Sequence, residues 1–132
     1  MPADRPRPRA DRADRALVKS EGMEARDLAT WLRSRPGRPT LFCHVPNEGL
    51  RGPAAAGQAR AMGLATGMPD YLVFSPARHA PRGVALELKR VGGRCATPQQ
   101  LRWLADLAAL GWQTRVCYGA LDAIDWLEGL GY

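Results

Sequence analysis

Two segments decide the fold of this chain: residues 70–75 (DYLVFS) and residues 82–89 (RGVALELK). Each is a short run rich in aliphatic and aromatic residues, which is typical of a β-strand. The six residues between them (PARHAP) carry a proline at each end and suit a hairpin-type connection. We therefore predict two neighbouring strands in one sheet.

The second strand separates two kinds of side chain. Since side chains alternate across a strand, three aliphatic residues share one face, which we expect to be core: Val84, Leu86 and Leu88. Glu87 and Lys89 share the opposite face with the small side chain of Ala85. The strand therefore brings a carboxylate and an ammonium group side by side at its carboxyl end.

The rest of the chain predicts an α/β fold. Apolar periodicity and turn signals place a helix over residues 20–33, a strand over 40–45, one or two helical turns around 54–62, a helix over 98–110, a strand over 114–118 and a helix over 121–129. With the two strands above, the main order is α-β-β-β-α-β-α. This order implies a mixed four-stranded sheet flanked by helices.

Composition bounds the class of protein. A chain of 132 residues has the length of one typical domain, and its 45% hydrophobic content fits a globular fold. Residues 1–19 combine proline with alternating charge, so we predict a disordered basic tail ahead of one domain over residues 20–132. There is no membrane-spanning apolar run and no secretory signal, and three cysteines without CxxC spacing fit a reducing cytoplasm.

Charge is distributed unevenly along the domain. Between Arg33 and Ala105 there are eleven basic residues but only three acids, Glu48, Asp70 and Glu87. A basic stretch attracts phosphates, and cation binding is a good reason for carboxylates to lie within it. We expect these acids to serve a metal ion that meets a phosphate-containing substrate.

Asp70 and Glu87 predict a metal site if the two strands pair. Two carboxylates about 4 Å apart repel by roughly 4 kcal/mol at an effective dielectric constant of ~20, so a cation between them is favoured. A small set of oxygen ligands suits Mg²⁺, with Mn²⁺ as an alternative ion, and Lys89 would orient a water or offset developing charge. From these residues alone, the alternative is a surface ion pair between Glu87 and Lys89, worth at most about 1 kcal/mol.

Four short motifs follow one another along the chain: PNEG (46–49), GMPD (67–70), ELK (87–89) and TPQQ (97–100). In this order they resemble the PD-(D/E)XK nuclease superfamily, and within it the virus-type replication-repair nuclease (VRR-NUC) family. The resemblance covers roughly residues 21–127. It implies a restriction-endonuclease-like core and a metal-dependent nuclease.

The resemblance assigns roles at the centre of the site. It implies that Asp70 and Glu87 are metal ligands and that the carbonyl of Leu88 joins them. Lys89 matches the catalytic lysine of the family.

The resemblance also implies supporting residues. Gln100 matches a glutamine that opens the following helix and supports the active site, and Glu48 matches a position that supports a metal or a water. Gln100 has a structural alternative, because Thr97 and Gln100 also form the capping box typical of a helix start, and the two roles are compatible. Many relatives carry a glutamate in the first helix, and here Glu21 and Glu24 both compete for that position.

Basic residues around the predicted site suggest its substrate. Arg51, Arg60, Arg90 and Arg94 fit a phosphate track as a group, although ordinary solubility explains each one alone. We expect a DNA endonuclease that recognises structure over sequence and acts on duplex or branched DNA. The resemblance also implies homodimers that cut symmetric four-way (Holliday) junctions. The alternatives are a non-catalytic nucleic-acid-binding module and a nuclease subunit of a larger replication or repair complex.

Overall fold

The structure, a computed structural model, describes residues 19–37, 40–46 and 52–132. Within these ranges the elements are α1 (Glu21–Arg33), β1 (Phe42–His44), α2 (Pro53–Ala61), β2 (Tyr71–Val73), β3 (Val84–Lys89), α3 (Pro98–Ala109), β4 (Gln113–Tyr118) and α4 (Ala120–Leu130). The predicted order α-β-β-β-α-β-α is confirmed. The helix α2 corresponds to the helical turns expected between the first two strands.

The strands form one mixed sheet in the order β1-β2-β3-β4. β1 pairs with β2 and β2 with β3 in antiparallel fashion, whereas β4 lies parallel to β3. A tight turn cannot join two parallel neighbours, so α3 crosses over the sheet between them and contacts both strands. The predicted α/β fold with a mixed four-stranded sheet flanked by helices is therefore confirmed.

The helix α1 begins at a side-chain cap and is held by its apolar face. Ser20 precedes its first residue, and the Ser20 hydroxyl accepts a hydrogen bond from the Met23 backbone N–H at 3.2 Å. Leu28 and Leu32 lie one turn apart on the helix and are both fully buried. The helix therefore presents one stripe to the core.

The hydrophobic core lies between one face of the sheet and the helices α1 and α4. Its buried members are Leu28, Leu32, Tyr71, Val73, Ala80, Val84, Leu86, Leu88, Cys117, Ala120, Ala123, Leu127 and Leu130. The predicted core face of β3 is among them. Full burial of one leucine side chain stabilises a fold by about 1.5–3 kcal/mol, so this layer is the main source of stability.

The opposite face of β3 is also buried, because α3 packs across it. Ala85 is 0% exposed and Glu87 is 1% exposed, while Lys89 retains partial exposure at the end of the strand. The ion pair between Glu87 and Lys89 does form, at 3.1 Å, but the alternative of a pair on the surface is wrong. A buried glutamate needs partners, and those partners define the site at this end of the strand.

Several predicted features lie outside the described residues. Residues 1–18, which hold most of the predicted tail, are among them, as are Glu48 and Arg51. Their assignments stay predictions. Within the described ranges, no helix has the length and apolar character needed to cross a membrane.

Candidate active site

The pairing of β2 with β3 brings Asp70 and Glu87 together. Tyr71 lies opposite Leu86 in the antiparallel register, so the residue before Tyr71 lies opposite the residue after Leu86. Asp70 is held there by the backbone of β3, because its Oδ2 accepts a hydrogen bond from the Leu88 N–H at 2.9 Å. Two acids separated by seventeen positions in the sequence thus face each other across one strand pair.

Glu87 is held in place by two donors on the same oxygen. Its Oε1 accepts a hydrogen bond from Gln100 Nε2 at 2.5 Å and lies 3.1 Å from Lys89 Nζ. Its Oε2 is buried and has no hydrogen-bond partner among the described residues. Burying a carboxylate oxygen without a partner is costly, and a cation or a water bound at this oxygen would remove that cost.

Burial raises the pKa of both carboxyl groups, and the charge of Asp70 raises that of Glu87 further. For Glu87, burial is the largest cause and the charge of Asp70 the next, and they raise its pKa from 4.5 to about 7 against the opposing influence of Lys89. Burial also raises the pKa of Asp70, although the hydrogen bond from Leu88 and the charge of Lys89 act in the other direction. In the metal-free protein, a proton on one of the two carboxyl groups relieves the repulsion between them. A cation bound between the groups would relieve this repulsion instead.

Gln100 belongs to the site and to the start of α3 at the same time. Its Oε1 accepts a hydrogen bond from the Thr97 N–H at 2.8 Å, and its own N–H donates to Thr97 Oγ1 at 3.2 Å, which completes a capping box. The same Oε1 lies 3.3 Å from Lys89 Nζ, while Nε2 donates to Glu87. The two interpretations of Gln100 drawn from the sequence therefore hold together.

The first turn of α3 also contacts the segment that leads into Asp70. Gly67 has a φ of +83°, and a Cβ there would lie 2.9 Å from the Gln99 Cβ and 3.1 Å from the Gln100 nitrogen. Trp103 Nε1 donates a hydrogen bond to the Thr66 carbonyl at 3.1 Å. Only glycine allows so close an approach of the two backbones, which fixes α3 against the acid-bearing end of β2.

The side chains of Asp70, Glu87, Lys89 and Gln100 border one open cavity of about 510 Å³. Its walls are formed by Glu21, Gly22, Ala25, His44, Val45, Pro46, Asp70, Glu87, Lys89 and Gln100. The cavity lies where β2 begins and β3 ends, beside the amino-terminal turns of α1 and α3. Partial positive charge at helix amino termini favours anions at such a place.

The structure separates the two glutamates of α1. Glu21 lines the cavity, whereas Glu24 is 6% exposed and accepts a hydrogen bond from the Ala120 N–H at 2.6 Å. Glu24 thereby caps α4, whose own N-cap residue, Gly119, has no side chain to do so. The Gly119 N–H in turn donates to the Lys89 carbonyl at 2.7 Å. Of the two helix-one acids, Glu21 lies at the cavity and Glu24 caps α4.

His44 is a cavity residue that is not among the site residues predicted from the sequence, where a structural or surface position was favoured over metal binding. It ends β1, lines the cavity, and its ring centroid lies 4.9 Å from that of Tyr71. Its position near the end of the predicted strand over residues 40–45, two residues before Pro46, indicates that it lies at a strand end. The direction of its ring depends on β1 pairing with β2, which the run itself does not specify.

Three of the four arginines of the predicted phosphate track lie among the described residues. Arg60 is exposed on α2, and Arg90 and Arg94 are exposed in the loop that runs from Lys89 to α3. None of the three forms an ion pair within the described ranges. Their guanidinium groups are therefore available to a polyanion, although none of the three lines the cavity itself.

Comparisons with known proteins bear on this arrangement. The family model of the VRR-NUC domain matches residues 19–121, a range that contains Asp70, Glu87, Lys89 and Gln100. A solved structure described as a "VRR_NUC domain protein" is similar at a TM-score of 0.71 and 26% identity, covering 85% of this chain and 88% of that one. No curated protein matches the chain. The resemblance carried by the four short motifs is thus confirmed.

Proposed function

We propose that this chain, which belongs to the VRR-NUC family, is a Mg²⁺-dependent DNA endonuclease. The observation that carries the proposal is the convergence of Asp70, Glu87 and Lys89 on one open cavity, with Glu87 Oε2 buried and unpartnered among the described residues. A domain that only binds nucleic acid has no need to bury a carboxylate beside a second carboxylate, because the repulsion weakens the fold.

The donor set fits a hard divalent cation. Asp70 and Glu87 would hold Mg²⁺ or Mn²⁺, and the Leu88 carbonyl would join them, because the N–H and C=O of one strand residue point to the same side and the Leu88 N–H points to Asp70. The described residues hold no cluster of three or more His, Cys, Asp and Glu side chains, at this cavity or away from it, so the two carboxylates would be the acidic ligands. Two carboxylates and a carbonyl suit Mg²⁺, which takes its other ligands from water and substrate phosphate. When bound, the ion supplies polarisation of the phosphoryl oxygen and activation of a water.

Lys89 has a donor to spare for the substrate. An ammonium group has three N–H donors, and its contacts with Glu87 and Gln100 use two of them. The third would orient the attacking water or offset the charge that develops on the phosphoryl oxygens. Gln100 would keep Glu87 fixed during the reaction, and Glu21 lines the same cavity.

The charge around the cavity favours DNA as the polyanion. Arg90 follows Lys89 directly in the chain and Arg94 lies four residues further on. Each phosphate that a basic residue neutralises adds about 0.9 to the salt dependence of duplex binding. Phosphate contacts carry no sequence information, so selectivity for the structure of the DNA fits this surface. Replacing Arg90 and Arg94 together by alanine should lower the salt slope by about 2. Arg78, an exposed arginine on the β2–β3 connection at the end of these strands opposite the cavity, is the matched control.

Cleavage assays with one conservative variant test the proposal. Linear duplex, flapped and four-way DNA are incubated with wild-type protein in Mg²⁺, in Mn²⁺ and in EDTA. Asp70→Asn keeps an oxygen that accepts the Leu88 N–H but loses the charge, so we expect cleavage to be abolished while DNA binding by fluorescence anisotropy stays within about twofold.

The control replaces an acid away from the cavity. Asp106 is exposed on α3, and Asp106→Asn should cleave like the wild type. Cleavage in EDTA would contradict the metal dependence. Full activity of Asp70→Asn would contradict the assignment of the site, and binding without any cleavage would favour a binding module.

A symmetric dimer is the finer part of the proposal. Two copies related by a twofold axis would present two equivalent cavities, as cleavage of opposite strands in a four-way junction requires. Light scattering coupled to size-exclusion chromatography at micromolar concentration should give a dimer on four-way DNA. A single copy on the junction would refute paired cleavage and leave a nuclease with one site per DNA.

A further inference from the structure

The carboxamide of Gln100 can form hydrogen bonds with both Lys89 and Glu87 in only one of its two orientations. With Oε1 towards Lys89 and Nε2 towards Glu87, it accepts from an ammonium group and donates to a carboxylate. Rotation of the amide by half a turn would put an NH₂ group against Lys89 and an oxygen against the Glu87 carboxylate. Both contacts would then be repulsive, so the orientation of this amide decides whether the two charged side chains are held together.

Apart from Glu87 and Lys89, the residue that sets this orientation of the Gln100 amide is Thr97. Its N–H donates to Gln100 Oε1 at 2.8 Å, a shorter contact than the 3.3 Å from Lys89 Nζ to the same oxygen. Its Oγ1 accepts from the Gln100 N–H at 3.2 Å, which fixes the first turn of α3 relative to the Thr97 backbone. A donor at this point excludes the flipped amide, because two N–H groups would face each other.

The Thr97 contacts remain in place whichever groups the substrate or a metal engages. A ligand that draws Lys89 or Glu87 towards itself removes one of the charged partners of the amide, whereas the Thr97 N–H belongs to the backbone. Thr97 is itself exposed, so its side chain contributes little to packing. Its connection to the site runs through Gln100.

We infer that Thr97 is a positioning residue of the proposed nuclease, acting through the capping box of α3 to keep the Gln100 amide aimed at Glu87 and Lys89. The inference rests on the proposed function for its effect on cleavage. It rests on the described geometry alone for the orientation of the amide.

Two variants of Thr97 test its hydroxyl and its N–H together, one by removing both groups and one by keeping both. Thr97 has φ −71° and ψ 159°, values that proline adopts without strain, so Thr97→Pro removes the N–H and the hydroxyl while the backbone keeps its path. Thr97→Ser keeps both groups. Ser20→Ala is the matched control, because it removes an N-cap hydroxyl of the same kind from α1 without touching Gln100.

Cleavage kinetics give the first readout. We expect Thr97→Pro to lower kcat about tenfold with KM for DNA changed by less than about twofold, since a loss confined to kcat marks an interaction needed in the transition state. Thr97→Ser should restore wild-type kcat, and Ser20→Ala should lose stability but keep kcat. Wild-type kcat in Thr97→Pro would overturn the inference, as would an equal loss of kcat in Ser20→Ala.

Nuclear magnetic resonance of the metal-free protein gives a readout that does not depend on cleavage. The side-chain NH₂ resonances of Gln100 are identified by their absence in Gln100→Glu. They should shift and broaden in Thr97→Pro but not in Thr97→Ser or Ser20→Ala, and unchanged resonances in Thr97→Pro would overturn the inference. If the wild type cleaves no DNA, the proposed function fails while this comparison still decides the role of Thr97.

Discussion

Replacing Glu87 by glutamine should make the metal-free protein more stable above neutral pH. Glu87 is 1% exposed, and burial together with the charge of Asp70 raises its pKa from 4.5 to about 7. Between these two pH values the folded protein keeps a proton that the unfolded chain has released. The free energy of unfolding therefore falls as pH rises through this window, by about 3 kcal/mol in total for such a difference in pKa.

Glutamine is the informative substitution because it imitates the protonated acid. It keeps an oxygen that can accept from Lys89 and from Gln100, it carries an NH₂ group that can donate to Asp70, and it does not titrate. Glu87→Gln should therefore exceed the wild type by less than about 1 kcal/mol near pH 5 and by up to about 3 kcal/mol at pH 8. For a domain of this size, that difference corresponds to roughly 10 °C in Tm.

Urea denaturation followed by tryptophan fluorescence measures the effect. Both proteins are unfolded in EDTA at pH values between 5 and 8, and the free energies of unfolding are compared at each pH. Glu128→Gln, which neutralises an exposed acid on α4, is the control and should run parallel to the wild type above pH 5. Parallel curves for wild type and Glu87→Gln would refute the reasoning, because a buried acid without a raised pKa leaves no such slope.

Addition of Mg²⁺ at pH 8 extends the same experiment. An ion that binds only the folded state at ten times its Kd adds about 1.4 kcal/mol to the free energy of unfolding. We expect this gain for the wild type and not for Glu87→Gln, which lacks one of the two charges. Equal stabilisation of both proteins would show that Mg²⁺ binds elsewhere.

Three further experiments test the fold: two pairs of substitutions and one labelling of cysteines. Gly83 has φ +100° and a Cβ there would lie 2.3 Å from the Val73 carbonyl oxygen, so Gly83→Ala should cost at least about 2 kcal/mol in urea denaturation. Gly57→Ala, on α2 with open space around it, should instead stabilise by about 0.5–1 kcal/mol, and equal effects of the two would contradict the structure. Glu24→Ala should cost about 1–3 kcal/mol because the Ala120 N–H at the start of α4 loses its partner, whereas Glu21→Ala should leave stability unchanged. Cys43 and Cys95 are exposed, while Cys117 is buried and burial raises the pKa of its thiol to about 12, so a thiol reagent should label two cysteines in the native protein and the third only after unfolding. Rapid labelling of all three would show that β4 is not covered as described.

The sequence by itself determined the elements of the sheet and the polar face of β3. Alternation along residues 84–89 is a local property, so the separation of Val84, Leu86 and Leu88 from Glu87 and Lys89 follows from strand geometry alone. The capping box at Thr97 and Gln100 is equally local, and its residues could be read directly from the chain. The four motifs, each only a few residues long, were sufficient to indicate the family.

Only the tertiary structure decided how deeply the site is buried and which glutamate of α1 reaches it. Glu87 is buried because α3 crosses its face of the sheet, and that crossing is a contact between elements that no local pattern specifies. Glu21 and Glu24 lie three residues apart on the same side of α1, so periodicity cannot separate them. The amino terminus of α4, 96 positions further along the chain, takes Glu24 as its cap and leaves Glu21 at the cavity. Secondary structure depends on neighbours in sequence, whereas the partners of a buried charge depend on which distant backbone groups lack one of their own.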